Sequence, residues 1–214
     1  MSDFGTVLAV CAVEEDIDLG KAGISAINKR PQAGRISVGE LGLVTDHVCD
    51  HRHHGGIDQA VYAYDEAEAR RWGEELGREL PAGWFGENLR VAGLPVTDAV
   101  VGERWAVGTD GLVLATTIPR VPCRTFAAWS TEPQWVKRFM HRGDVGAYLR
   151  VVSPGSVAAG DSIAVLDRPD HGVRVRDLLT GTDPEALRAL LATDDLAPKV
   201  HREASRHLAR ATAE

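Results

Sequence analysis

The chain has 214 residues, 44% of them apolar and 26% charged, with a formal net charge of -7. That is enough chain for one domain of good size, or one domain with a small appendage, and the composition is that of a soluble globular protein. Thirty-one acidic against 24 basic residues argue against general nucleic-acid or anionic-membrane binding, while leaving room for a local basic pocket.

Residues 7–13 form a continuous apolar run that reads as a buried strand. The run is too short and wrongly flanked for a signal peptide, and no run approaches the ~20 apolar residues of a membrane span. Three scattered cysteines make no disulfide framework, so a cytoplasmic protein with reduced thiols is expected. Residues 34–49 read as one or two strands with turns.

Residues 65–80 carry the clearest helical pattern of the first half. Asp65 can cap its start, and Glu68 completes a capping-box pattern. Ala69, Trp72, Leu76 and Leu80 share one face, and Pro81 and Gly83 stop the helix. Residues 95–118 read as short strands broken by glycine turns. A second helix is predicted near Thr131, with Pro133 in its first turn and Trp135 and Phe139 on one face. Residues 146–152 and 161–166 are further strands.

Beyond Pro169 the pattern becomes helical over 180–210, with Asp183 as cap and Pro184 at the first helical position. The expected class is therefore mainly β (α+β), with a body over 1–176 and a small C-terminal helical module over 177–214. Deleting 178–214 should leave the body folded. The Arg and His side chains of the tail (His201, Arg202, Arg206, His207, Arg210) read as a solvated face on a packing or homodimer element.

Three stretches could carry chemistry. In CDHRHHGGIDQAVYAY (49–64), Cys49, His51 and His53 would share one face of a strand and are zinc-ligand types. Their spacing matches no usual zinc pattern, and a polar surface turn is the plain alternative. That alternative leaves Gly55-Gly56 and Asp58 unexplained. Paired glycines admit a ligand close to the backbone, and their bare amides can hold an anion.

In GWFGENLRVAGL (83–94), Gly86-Glu87-Asn88 is either a simple turn or a place where Glu87 and Asn88 hydrogen-bond a polar ring system. In IPRVPCRTFAAW (118–129), Pro119 and Pro122 exclude an ordinary central strand, so the chain leaves a sheet and runs extended. Cys123 lies there between Arg120 and Arg124, whose charge favours thiolate over thiol. A thiolate is a nucleophile or a soft metal ligand; an inert buried cysteine is the plain alternative. No P-loop, dinucleotide fingerprint or nucleophile elbow is present, and three cysteines cannot hold a four-thiolate iron–sulfur cluster.

Taken in order, HHGGIDQAVYAY, a helix, FGENL with AGL, VGERWAVGT and PRVPC resemble the MOSC domain family, proteins related to the C-terminal domain of molybdenum cofactor sulfurases. The pattern is most similar to the small stand-alone bacterial subgroup related to 6-N-hydroxylaminopurine reductases. The resemblance covers about residues 20–166, and the tail looks like the three-helix module that follows the domain in that subgroup. It implies a distorted, largely closed β-barrel with peripheral helices. It also implies a molybdenum cofactor (molybdopterin), with Cys123 as catalytic residue and metal ligand.

His54, Gly55, Gly56 and Asp58 match the family's HGG-x-D motif, Glu87 and Asn88 match GEN, and Arg120 matches P-R-x-P-C. Lys29 falls where the family often places a basic residue near the cofactor's phosphate. Arg120, Arg124 and Lys29 would together offset that phosphate's charge. Two positions depart: Thr45-Asp46 stands for the usual Gly-Asp pair, and Thr125 stands where the subgroup often carries Lys. Both bear on the substrate more than on the fold.

The implied function is reduction of N-hydroxylated bases or related compounds. With no flavin, nicotinamide or iron–sulfur signature of its own, the chain would draw electrons from a partner reductase, a flavin or iron–sulfur protein. Two alternatives stay open: a sulfur carrier or sulfurtransferase using a Cys123 persulfide without the cofactor, and a module that binds or delivers the cofactor without turnover.

Overall fold

The structure, a computed structural model, describes residues 3–50 and 54–211. Its first strands are β1 (Phe4–Val13), β2 (Ile17–Asp18), β3 (Ile24–Ser25), β4 (Lys29–Pro31), β5 (Ile36–Gly39) and β6 (Gly42–Leu43). They are followed by β7 (Val61–Asp65), β8 (Leu89–Ala92), β9 (Arg104–Val107), β10 (Leu112–Pro119), β11 (Ala147–Ser153), β12 (Gly155–Val157) and β13 (Ser162–Asp167). Seven of them close into a barrel in the order β13-β9-β10-β11-β7-β8-β1, with β1 pairing back onto β13. β4 extends β1 beyond the ring. Closure leaves the ring without free edges.

β7 and β8 are the parallel pair of the ring. Parallel neighbours need a crossover, and helix α1 (Glu66–Leu76) supplies it. Val91, Trp105, Val107, Leu114 and Leu149 fill the interior. A second cluster, rich in aromatics, includes Trp72, Trp84, Phe85, Phe126, Trp135 and Phe139. It joins α1 to α2 (Arg124–Ser130) and α3 (Trp135–Arg142), and so backs the segment that carries Cys123.

Two local expectations need correcting. Asp65 caps α1, accepting from the Ala67 N–H at 2.8 Å, but the helix stops at Leu76 on left-handed Gly77, four residues before the expected end. Glu68 does not complete a capping box. It is buried, and its Oε2 accepts from Thr97 Oγ1 at 2.7 Å. The helix expected near Thr131 starts at Trp135, as α3, and a further helix, α2, precedes it. α2 begins directly after Cys123, and left-handed Thr131 and Gln134 separate it from α3, so Pro133 lies in the link.

Glu68 carries a pH prediction. Burial raises its pKa from 4.5 to about 8; the Thr97 hydrogen bond opposes this, and Asp144 and Asp65 reinforce it. The unfolded chain therefore loses this proton near 4.5 while the folded chain keeps it to about 8. The contribution to stability is full below the lower value and declines as pH rises through that window. Glu68→Gln should match wild type at pH 4.5 and exceed it by about 1–3 kcal/mol at pH 8. Paired urea titrations at the two pH values check this; an equal difference at both would refute it.

The tail consists of α4 (Asp177–Thr180), α5 (Pro184–Leu191) and α6 (Pro198–Ala211). Asp183 caps α5, accepting from the Ala186 N–H at 3.2 Å. Leu178, Leu187, Leu190, Val200 and Ala204 belong to the same buried cluster as the barrel interior, and the tail adds no strand to the ring. Among the described residues, no helix is long and apolar enough to cross a membrane.

Candidate functional site

A cavity of about 360 Å³ opens on one side of the barrel, walled by the loop after β1, the stretch after β6, the Gly55-Gly56 turn and the segment after β10. Its size is in the usual range for small-molecule sites. Lys29, His54, Gly55, Gly56, Asn88, Arg120 and Cys123 all line it.

Cys123 is placed by its neighbours. β10 ends on Pro119, Pro122 stiffens the approach, and Cys123 is extended (φ -121°, ψ 175°) at the N-cap of α2. Its carbonyl accepts from the Ala127 N–H at 3.0 Å, which starts the helix. The thiol is part-buried at the cavity wall. Burial alone would raise its pKa. A hydrogen bond with His54, the charge of Arg120 and the Phe126 backbone N–H outweigh that, and the value falls from 9.0 to about 6. The surroundings therefore favour the thiolate of Cys123 at neutral pH.

Arg120 is buried, with its guanidinium carbon 3.8 Å from the centre of the Phe126 ring and 5.5 Å from that of Tyr62. It hydrogen-bonds the Tyr148 hydroxyl, while its Nη1 has no hydrogen-bond partner among the described residues. A buried donor left unpaired carries a penalty that an acceptor in the cavity would remove. Gly55 and Gly56 have φ of 75° and 81°, a region that favours glycine. A Cβ on Gly55 would stand 2.9 Å from Val48 Cγ2.

Asp46 is the organiser of the opposite wall. Its Oδ1 accepts from the Val13 N–H at 3.0 Å, and its Oδ2 accepts from Lys29 Nζ at 2.5 Å and Asn88 Nδ2 at 2.7 Å. Lys29 thus reaches the cavity as half of an ion pair. Asn88 also accepts from the Tyr62 N–H through Oδ1 and ties β7 to the GEN turn.

Three of the expected site residues do not line the cavity. Glu87 is fully buried behind the wall, its carboxylate taken by the Gly83 and Phe85 N–H groups and by Arg90. Asp58 accepts from Arg150 at 2.6 Å and from the Lys199 backbone N–H at 3.0 Å, and so braces the Gly55-Gly56 turn against β11 and α6. Arg124 is exposed on α2.

Nor does Cys49 lie on a strand. Residues 44–50 are turn and irregular backbone, and His51 and His53 lie outside the described residues. Cys49 stands instead with His47 and Asp16. Sequence reasoning missed Tyr62 and Tyr148 as cavity residues, and it saw Asp46 only as a departure from a motif. The alternation of VYAY was a usable signal, since it sends Tyr62 and Tyr64 to the same side of β7.

The description "MOSC domain" fits residues 50–164. The chain belongs to the MOSC domain family, a family associated with molybdenum cofactor binding. It is 32% identical over 157 residues to the protein YflK of Bacillus subtilis (strain 168), spanning 73% of this chain and 70% of that one. It is 29% identical over 154 residues to a Gibberella moniliformis protein named Reductase, spanning 71% of this chain and 27% of that longer protein. In fold it is similar to the crystal structure of YiiM from Geobacillus stearothermophilus, with TM-score 0.76 at 22% identity over 95% of this chain and 99% of that one. The closed barrel with peripheral helices is the fold expected from the motifs.

Proposed function

We propose that this protein is a cytoplasmic molybdenum-cofactor-dependent reductase of N-hydroxylated compounds, with a barrel domain over 1–176 and a helical module over 177–214. The observation that carries the reading is the part-exposed Cys123 sulfur, beside His54 and a buried arginine donor without a partner among the described residues, all at one cavity of a MOSC chain. The donor set fits the cofactor. A thiolate suits molybdenum, and Arg120 Nη1, with the close backbone approach that Gly55 and Gly56 allow, suits an anionic phosphate end. When bound, the cofactor supplies two-electron redox chemistry at its metal.

The chain's own residues do the rest. Cys123 would hold the metal, and His54 keeps the sulfur ionised and oriented. Reducing an N–OH group to N–H consumes two electrons and two protons and releases water. Burial raises the Tyr148 pKa, so its phenol stays an O–H. Because Arg120 donates to that oxygen, the phenolic proton is left to face a substrate oxygen. The electrons come from a partner reductase. The exposed Ile24 and Leu41 at the cavity mouth suit a protein contact, and the name of the Gibberella relative supports reductive chemistry.

Molybdenum content and reduction of an N-hydroxylated purine by the chemically reduced protein test the proposal. Wild type should carry the metal and turn over, and Cys123→Ala should lose both at least 100-fold. Equal turnover by Cys123→Ala would sink it. A persulfide on Cys123 by intact mass, without metal, would favour sulfur transfer. Bound cofactor with no turnover would favour a delivery module.

A further inference from the structure

Three ligand-type side chains outside the set assigned above converge from two separate segments. Asp16 follows β1, and His47 and Cys49, two residues apart, follow β6. His47 Nε2 lies 2.7 Å from Asp16 Oδ1, and Cys49 hydrogen-bonds the same carboxylate. One ligand atom from each residue lies within 4.8 Å of the other two. His47 and Cys49 also line the cavity that Cys123 faces.

We propose that Asp16, His47 and Cys49 form a second metal site, for a divalent cation of the zinc class, at the edge of this cavity. The donor chemistry selects the ion. One imidazole, one thiolate and one carboxylate are a zinc set, whereas magnesium and calcium take oxygen ligands. The spacing fits as well. Around a tetrahedral ion with bonds of about 2.0–2.3 Å, ligand atoms stand roughly 3.3–3.8 Å apart. The ligand atoms already lie within 4.8 Å of one another, with one pair at 2.7 Å, so they need to shift by about an ångström to reach that spacing.

Charge also balances, since the carboxylate and thiolate together neutralise a dication. The hydrogen bonds that now converge on Asp16 mark where the ion would stand. Three protein ligands leave a fourth position, open to water or to a donor atom of a molecule in the cavity. The site is independent of the molybdenum reading: it uses none of Cys123, His54 or Arg120, and its test needs neither molybdenum nor turnover.

Cobalt(II) is the probe, titrated into Cys123→Ser protein. Cys11 is fully buried, so Cys49 is the one accessible thiol in that background. The expected result is one Co²⁺ per chain with a thiolate-to-cobalt charge-transfer band, displaced by Zn²⁺. Adding Cys49→Ser should abolish the band, and Asp16→Asn or His47→Ala should weaken binding tenfold or more. Asp16 and His47 are exposed, so these variants should keep the wild-type circular dichroism. The proposal is overturned by any of three results: no charge-transfer band, a band that survives Cys49→Ser, or an affinity that either Asp16→Asn or His47→Ala leaves unchanged.

Discussion

Glu87→Ala is expected to lower folding stability by about 3–5 kcal/mol, read by chemical denaturation of the protein without cofactor. Glu87 has no exposed surface and Arg90 almost none. Oε1 accepts from the Gly83 N–H at 2.8 Å and from Arg90 Nη2 at 2.6 Å, and Oε2 accepts from the Phe85 N–H at 3.0 Å. Removing the carboxylate strands two backbone donors and a guanidinium in a dry interior. Arg90 keeps Glu66 at 3.1 Å, the Pro81 carbonyl at 3.1 Å and, more weakly, the Leu80 carbonyl at 3.5 Å, none of which replaces its closest anionic partner. A buried charge that loses its partner is among the largest single-residue penalties. The effect separates the two readings of the GEN motif. If Glu87 met a ligand, Glu87→Ala would weaken binding and leave the apoprotein's stability within about 1 kcal/mol of wild type. If it builds the turn that presents Asn88, the loss appears with nothing bound.

This is also where the sequence stopped being informative. Identity and spacing placed Glu87 and Asn88 in one motif, but consecutive residues point to opposite sides, and nothing in the triplet says which side is wet. Asn88 Nδ2 reaches Asp46 at the cavity, while Glu87 turns inward to an arginine three residues on. The apolar run that placed β1, and the glycine turns that bounded the strands at 95–118, 146–152 and 161–166, are properties of neighbouring residues, so they could be read locally. The hub at Asp46 is not local: it joins positions 13, 29 and 88, which come together only when the barrel closes.

Helix α2 was hidden for a different reason. Pro119 and Pro122 correctly marked an extended approach, and the helix starts at the first residue after Cys123. The cysteine therefore owes its position to both elements, one stiff and one helical. Its arginine neighbour at 120 was legible as a source of positive charge, whereas Arg124 carries the same charge out to solvent. Between these two residues the chain passes from the extended approach into the first residue of α2, and sequence proximity alone does not resolve that.

The Cys123 thiol of the metal-free protein is expected to titrate near pH 6, and His54→Ala should raise the midpoint by at least about one unit. Alkylation by iodoacetamide between pH 5 and 9, followed by peptide mass, resolves it from the other thiols. Cys11 is pushed up to about 12 by burial, and burial with the Asp16 carboxylate raises Cys49. The sign follows from the competition at the site. Burial favours the neutral thiol, so once the His54 hydrogen bond is gone, the Arg120 charge and one backbone N–H oppose burial alone. Arg120→Met should move the midpoint in the same direction. The midpoint is the quantity to compare, because rates at a single pH mislead. A thiolate of low pKa is more abundant but intrinsically less nucleophilic, and the two effects partly cancel at neutral pH. A wild-type midpoint near 9 would mean that His54 and Arg120 do not act on the sulfur, and Cys123 would then be an ordinary part-buried thiol. A midpoint near 6 that climbs in both variants would show a chain that prepares its thiolate before any metal arrives, so that no proton need leave the sulfur when a soft ion is bound.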